Sequence, residues 1–299
     1  MGPEISSVPA VRTASALPAP AGCGTRHEAS PAWPVLSWRT LRRASYRDAL
    51  RAGALQCGIY FEEPPHRGRP TVVFIHGAAG VPGQFTALAA ALHARVNRAV
   101  FLWDYTARLA PTAERLRAAL LRLPAGVTMV AHSIGTLLPA YVGATDPRGL
   151  LQGLAAVYLN PLIGGSRYAG DFRALRWLRL GAVLQRAFCR PSILDLAPES
   201  DFQRTICGPE SAASSFARHT VMLFTERWGE EPDIRPNRVP HYFGRTREAL
   251  LERFGAVRKV PPPQASGHNA PLLKPNLVLP ILEELLDRPA GGHPPHVGP

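Results

Sequence analysis

Five short apolar runs between residues 71 and 225 constrain this chain more than any other feature: Thr71–Ile75 (TVVFI), Ala99–Trp103 (AVFLW), Val127–Ala131 (VTMVA), Leu154–Leu159 (LAAVYL) and Thr220–Thr225 (TVMLFT). They are apolar at consecutive rather than alternate positions, as strands buried on both faces are. Helical spacing lies between them. Gly83–Val96 puts Phe85, Leu88, Ala91 and Leu92 on one face. Pro111–Leu123 opens with a proline where a missing N–H costs nothing, and a further helix is expected from about Ser133 to Val142. This alternation predicts an α/β fold, a mostly parallel central sheet with helices on both faces. Arg39–Gly53 reads as a short basic helix, Leu55–Phe61 as an outer strand, Val257–Val260 as a weak last strand, and Arg245–Phe254 and Leu277–Leu286 as late helices.

The expected organisation is a Pro/Ala-rich disordered tail over residues 1–36, one domain over 37–289 and a short Gly/Pro/His tail over 290–299. Ile163 to Arg218 is irregular and too long for a crossover, so a cap or lid inserted over 163–218 is expected. Within it Asp171–Cys189 (DFRALRWLRLGAVLQRAFC) carries a wide apolar stripe interleaved with arginines. Two readings fit: a cap helix packed over a site, or an interfacial lid making transient contact with a membrane surface.

Lys and Arg exceed Asp and Glu by 34 to 22, a net charge of +12. The excess is almost all Arg, scattered along a chain with 31 prolines, so it marks no nucleic-acid face, and no nucleic-acid partner is expected. The longest apolar stretch, Leu150–Ile163, is broken by Gln152, Asn160 and Pro161, well short of the roughly 18 residues a spanning helix requires. The first thirty residues contain no apolar block of the signal-peptide kind, which favours the cytoplasm and free thiols. Cys23, Cys57, Cys189 and Cys207 lack metal-ligand spacing. Cys189 and Cys207 would close a short loop if the protein were exported.

The chemistry concentrates at Ala131-His132-Ser133-Ile134-Gly135, which follows one strand and opens a helix. A strand-to-helix turn this tight needs nearly side-chain-free residues two before and two after the serine, and Ala131 and Gly135 meet that need. Such a serine is held in a strained backbone with Oγ exposed above the sheet, over a helix N-terminus. A plain N-cap serine is the alternative. Upstream, His76-Gly77-Ala78 follows the strand TVVFI. Two backbone N–H groups aimed at one point would form an oxyanion hole, and those of Ala78 and Ile134 are the candidates. His76 and His132 themselves read as buried structural histidines.

On FIHGAAGVPGQF, WDY, VAHSIG and SGHNAPLL the chain resembles the α/β-hydrolase superfamily, and within it small bacterial triacylglycerol lipases and esterases, over about residues 70–286. Asp195–Phe202 also matches a DLxPxSxF element of those lipases. Thr136 stands where a second Gly is common. The resemblance implies a Ser-His-acid triad in the order Ser, Asp/Glu, His. Ser133 would be the nucleophile and His268, in Ser266-Gly267-His268-Asn269, the base; His241 is the nearest rival. The acid should follow TVMLFT. Asp233, heading Asp-Ile-Arg-Pro, fits the family pattern best, with Glu226, Glu230 and Glu231 as alternatives; after the preceding strand stands Asn160, which holds no charge. The implied activity is hydrolysis of carboxylic esters of hydrophobic acyl groups through an acyl-enzyme, with a small-molecule ester or lipid as partner and no cofactor or metal. A thioesterase or acyltransferase would use the same residues. A catalytically silent lipid- or partner-binding protein is the alternative of another class.

Overall fold

The computed structural model describes residues 12–13, 33–41, 46, 48–50, 52–77, 80–92, 95–124, 126–146, 149–165, 191–198, 200–225, 247–260 and 267–287. Its centre is a sheet of nine strands: β1 (Arg12–Thr13), β2 (Pro34–Val35), β3 (Gly58–Phe61), β4 (Thr71–Ile75), β5 (Asn97–Leu102), β6 (Val127–His132), β7 (Ala155–Leu159), β8 (Thr220–Phe224) and β9 (Ala256–Lys259). Their order is β1-β2-β3-β5-β4-β6-β7-β8-β9. From β5 to β9 all neighbours are parallel, and β3 runs antiparallel to β5.

Along each central strand, alternate side chains enter two separate cores. Val73 and Ile75 of β4 and Met129 and Ala131 of β6 face one core, together with α2 (Leu109–Leu120), α3 (Leu137–Ala144) and α5 (Asp201–Cys207). Val72, Phe74 and Val130 face the other, with α1 (Thr86–Ala91) and α8 (Leu279–Leu286). Burial on both faces is why these strands read as unbroken apolar runs.

Two expected boundaries shift. Trp33 and Leu36 are buried and β2 joins the sheet, so the folded chain begins before residue 37. The stretch expected as a cap also divides. Residues 166–190, including the amphipathic Asp171–Cys189, lie outside the described residues. Beyond them α4 (Pro191–Asp195) and α5 return to the main domain, where Phe202, Ile206 and Cys207 enter the first core. Asp195 and Ser200 brace the elements around them. One Asp195 carboxylate oxygen accepts the Leu109 N–H at 2.7 Å, capping α2, and the other meets Arg108 at 2.7 Å. Ser200 caps α5 by accepting the Gln203 N–H at 3.1 Å. Cys57 and Cys207 are free thiols, and burial pushes them up to about 11 and about 12. Among the described residues no helix is long and apolar enough to cross a membrane, and no cluster of side chains could hold a metal ion.

The strand order reverses at β4. The chain leaves β4 toward the core holding α1 and leaves β6 toward the core holding α3. Connections that diverge in this way make the carboxyl ends of β4 and β6 the switch point of the sheet, the place where ligands of open α/β sheets bind.

Candidate active site

The two motifs singled out in the sequence meet at that switch point. At the end of β6 the chain passes directly into a 3-10 turn, Ser133–Thr136, that leads into α3. Ser133 has φ of +55°, a left-handed backbone that non-glycine residues rarely adopt. An N-cap serine would be extended instead, and here the extended capping position belongs to His132. The steric demand at Gly135 is explicit: a β-carbon there would run into the carbonyl oxygen of His76. Thr136, the departure from the usual small residue, braces the corner by donating its hydroxyl to the Ser133 carbonyl at 2.6 Å.

The turn after β4 lies against this elbow. A β-carbon on Gly77 would stand 2.8 Å from Cβ of Ser133. His76 beside it is buried, and burial lowers its pKa to about 4, so the ring is neutral. Its Nδ1–H donates to the Gly77 carbonyl at 3.0 Å, which leaves Nε2 to accept from the Tyr46 hydroxyl at 2.9 Å. Tyr46 also accepts the Trp103 N–H at 2.8 Å, with the Trp103 carbonyl 2.7 Å away. One hydroxyl thereby ties the end of β5 to the turn after β4. Of the oxyanion candidates, Ile134 follows Ser133 in the elbow and is buried, while Ala78 lies outside the described residues.

His268 arrives from the far end of the chain, between β9 and α7 (Ala270–Leu273). Its ring centroid is 4.7 Å from that of His132, the neighbour of Ser133. Its position is held through the backbone by three consecutive strand ends. His132 Nε2–H donates to the His268 carbonyl at 3.0 Å, and Asn160 Nδ2 donates to the same oxygen at 2.8 Å. Thr225 donates its hydroxyl to the Gly267 carbonyl at 3.1 Å. Burial lowers His132 to about 3, with the neighbouring His268 as a lesser cause, so His132 is neutral and acts as a structural donor.

Ser133, Ile134, His76, Gly77 and His268 are therefore gathered at one end of the sheet. Asp233, Glu226, Glu230, Glu231 and the rival His241 lie outside the described residues, so the acid has no described position. Asn160 and Thr225 were not legible as site residues. Asn160 registers in the sequence only as a position without charge, and Thr225 only as the end of a strand.

No protein-family model matches the chain, and no curated protein sequence matches it. Its likeness is to solved structures. The type II thioesterase BorB from the borrelidin biosynthetic cluster matches with a TM-score of 0.50 at 16% identity, over 78% of this chain and 97% of that one. A loop variant of the haloalkane dehalogenase DbeA from Bradyrhizobium elkanii follows at TM-score 0.48 and 14% identity, over 77% and 96%. MGS-M2, an α/β-hydrolase enzyme from a Medee basin deep-sea metagenome library, gives 0.47 and 13%, over 79% and 96%. The fold is the α/β-hydrolase fold.

Proposed function

We propose that this protein is a serine hydrolase that cleaves carboxylic esters of hydrophobic acyl groups. The observation that carries the reading is the backbone of Ser133. A left-handed serine at a strand-to-helix corner costs on the order of 1–3 kcal/mol, and a helix-capping role would not require it.

In this reading His268 takes the Oγ proton as Ser133 attacks the ester carbonyl. The N–H groups of Ile134 and Ala78 receive the oxyanion, and the protonated His268 passes its proton to the departing alkoxide. Water, deprotonated by His268, then attacks the acyl carbonyl, and His268 returns that proton to Ser133 Oγ as the acid departs. Asp233 is the proposed third member, holding the imidazole in one tautomer, with Glu226, Glu230 and Glu231 as the other carboxylates of the same segment. The amphipathic Asp171–Cys189 segment suits an apolar acyl site and transient contact with a lipid surface.

The experiment is labelling with a fluorophosphonate, in which the serine oxygen displaces fluoride from phosphorus. Wild-type protein should be labelled and should hydrolyse p-nitrophenyl esters, and Ser133→Ala should do neither while remaining folded. Turnover by Ser133→Ala would defeat the assignment, and an unlabelled wild type would favour a silent binding protein. A thioesterase is the second reading, because the similar structure at TM-score 0.50 is named as one. Esters and thioesters of graded chain length separate the two.

A further inference from the structure

We propose that Asn160 and Thr225 are positioning residues that set the place of the His268 imidazole by fixing the two backbone carbonyls of its turn; this rests on the reading of His268 as the base. The two side chains form a closed set of hydrogen bonds with every proton placed. The Thr225 N–H can only donate, and it meets Asn160 Oδ1 at 2.8 Å, which orients the amide. The two Nδ2 protons then go to Thr225 Oγ1 at 2.8 Å and to the His268 carbonyl at 2.8 Å. With its acceptor site filled by Asn160, the Thr225 hydroxyl sends its own proton to the Gly267 carbonyl.

The surroundings make this set rigid. Asn160 and Thr225 are 2% and 0% exposed, so water does not compete for the bonds. Asn160 holds φ of +46°, the only described non-glycine residue besides Ser133 with a left-handed backbone. Its N–H is anchored to the Leu223 carbonyl at 2.9 Å. Gly267, the other residue whose carbonyl is held, has φ of +98°. With Asn160 and His132 both donating, each lone pair of the His268 carbonyl is engaged. The geometry also accounts for the residue type: a carboxylate at 160 would aim an oxygen at the carbonyl oxygen of His268, so this strand end accepts an amide and disfavours an acid.

The test compares Thr225→Val, Thr225→Ser, Asn160→Ala and His268→Ala in the full-length protein, with p-nitrophenyl ester kinetics and circular dichroism. Thr225→Val and Asn160→Ala should lower kcat about ten- to hundredfold with KM within about twofold, and Thr225→Ser should stay within about threefold of wild type. Wild-type kcat in Thr225→Val and Asn160→Ala alongside an inactive His268→Ala overturns the clamp and leaves the base standing. A fully active His268→Ala overturns the base itself. Thr225→Ser as slow as Thr225→Val removes the hydroxyl from the argument. Losses of kcat that only track the folded fraction reduce both residues to a structural role and also overturn the proposal.

Discussion

The α-carbon of Gly77 faces Ser133 so closely that a β-carbon added to it would sit 2.8 Å from the serine Cβ. The turn after β4 and the elbow after β6 thus share one narrow space. Gly135 is tighter still, because its obstacle is backbone, the His76 carbonyl. Gly77→Ala should cost about 1–3 kcal/mol, and Gly135→Ala at least as much, since a backbone atom yields less than a side chain. Urea denaturation measures both, and unchanged midpoints would show that the two turns are not in contact.

Ser133 combines the proposed nucleophile with an unfavourable backbone. At φ of +55° glycine is relaxed and serine is not. Ser133→Gly should therefore raise stability by about 1 kcal/mol while removing activity. Thermal melting beside an ester assay checks the opposite signs. A lower Tm for Ser133→Gly would contradict the strain.

His76 and His132 are neutral in the fold, lowered to about 4 and about 3 by burial, against an ordinary value of 6.5. The unfolded chain binds protons that the folded one does not. Their contribution to stability is therefore whole above about pH 6.5 and is lost as pH falls toward 4 and then 3. Each should steepen the decline by roughly 1.4 kcal/mol per pH unit in that window. Denaturation of His132→Gln between pH 7 and 4 should show a slope shallower by about one proton; an identical slope would mean that His132 is charged in the fold.

Asp195 is 5% exposed and joins α4 to the start of α2 through Arg108 and the Leu109 N–H. Asp195→Ala should destabilise by about 1–2 kcal/mol through the lost cap, with kcat per folded molecule unchanged. A selective loss of kcat would instead place Asp195 in the reaction.

The strands that build the sheet were readable because burial on both faces leaves a local mark, a run of apolar residues such as TVVFI or TVMLFT. The elbow was readable for a similar reason: its steric demands fall on positions two residues away, at Ala131 and Gly135. Asn160 left no such mark. Its partners are Thr225, 65 residues on, and His268, 108 residues on, and nothing near Asn160 in the chain distinguishes it from any polar residue ending a strand. That Trp33 belongs to the packed core was hidden by the Pro- and Ala-rich sequence before it, because the packing partner of its ring is the distant Phe61, at 5.5 Å.

By itself the order of residues determined the layered α/β architecture and marked the corner at Ser133 through Ala131 and Gly135, because each leaves a pattern within a few positions of the chain. The atom that excludes a side chain at 135, by contrast, is the His76 carbonyl, brought there by the sheet. The tertiary structure alone decided where His268 stands and what holds it. That placement depends on the carboxyl ends of β6, β7 and β8 lying side by side, so that His132, Asn160 and Thr225 reach one turn. Strand adjacency is set by the packing of two whole cores, and no short stretch of sequence contains it.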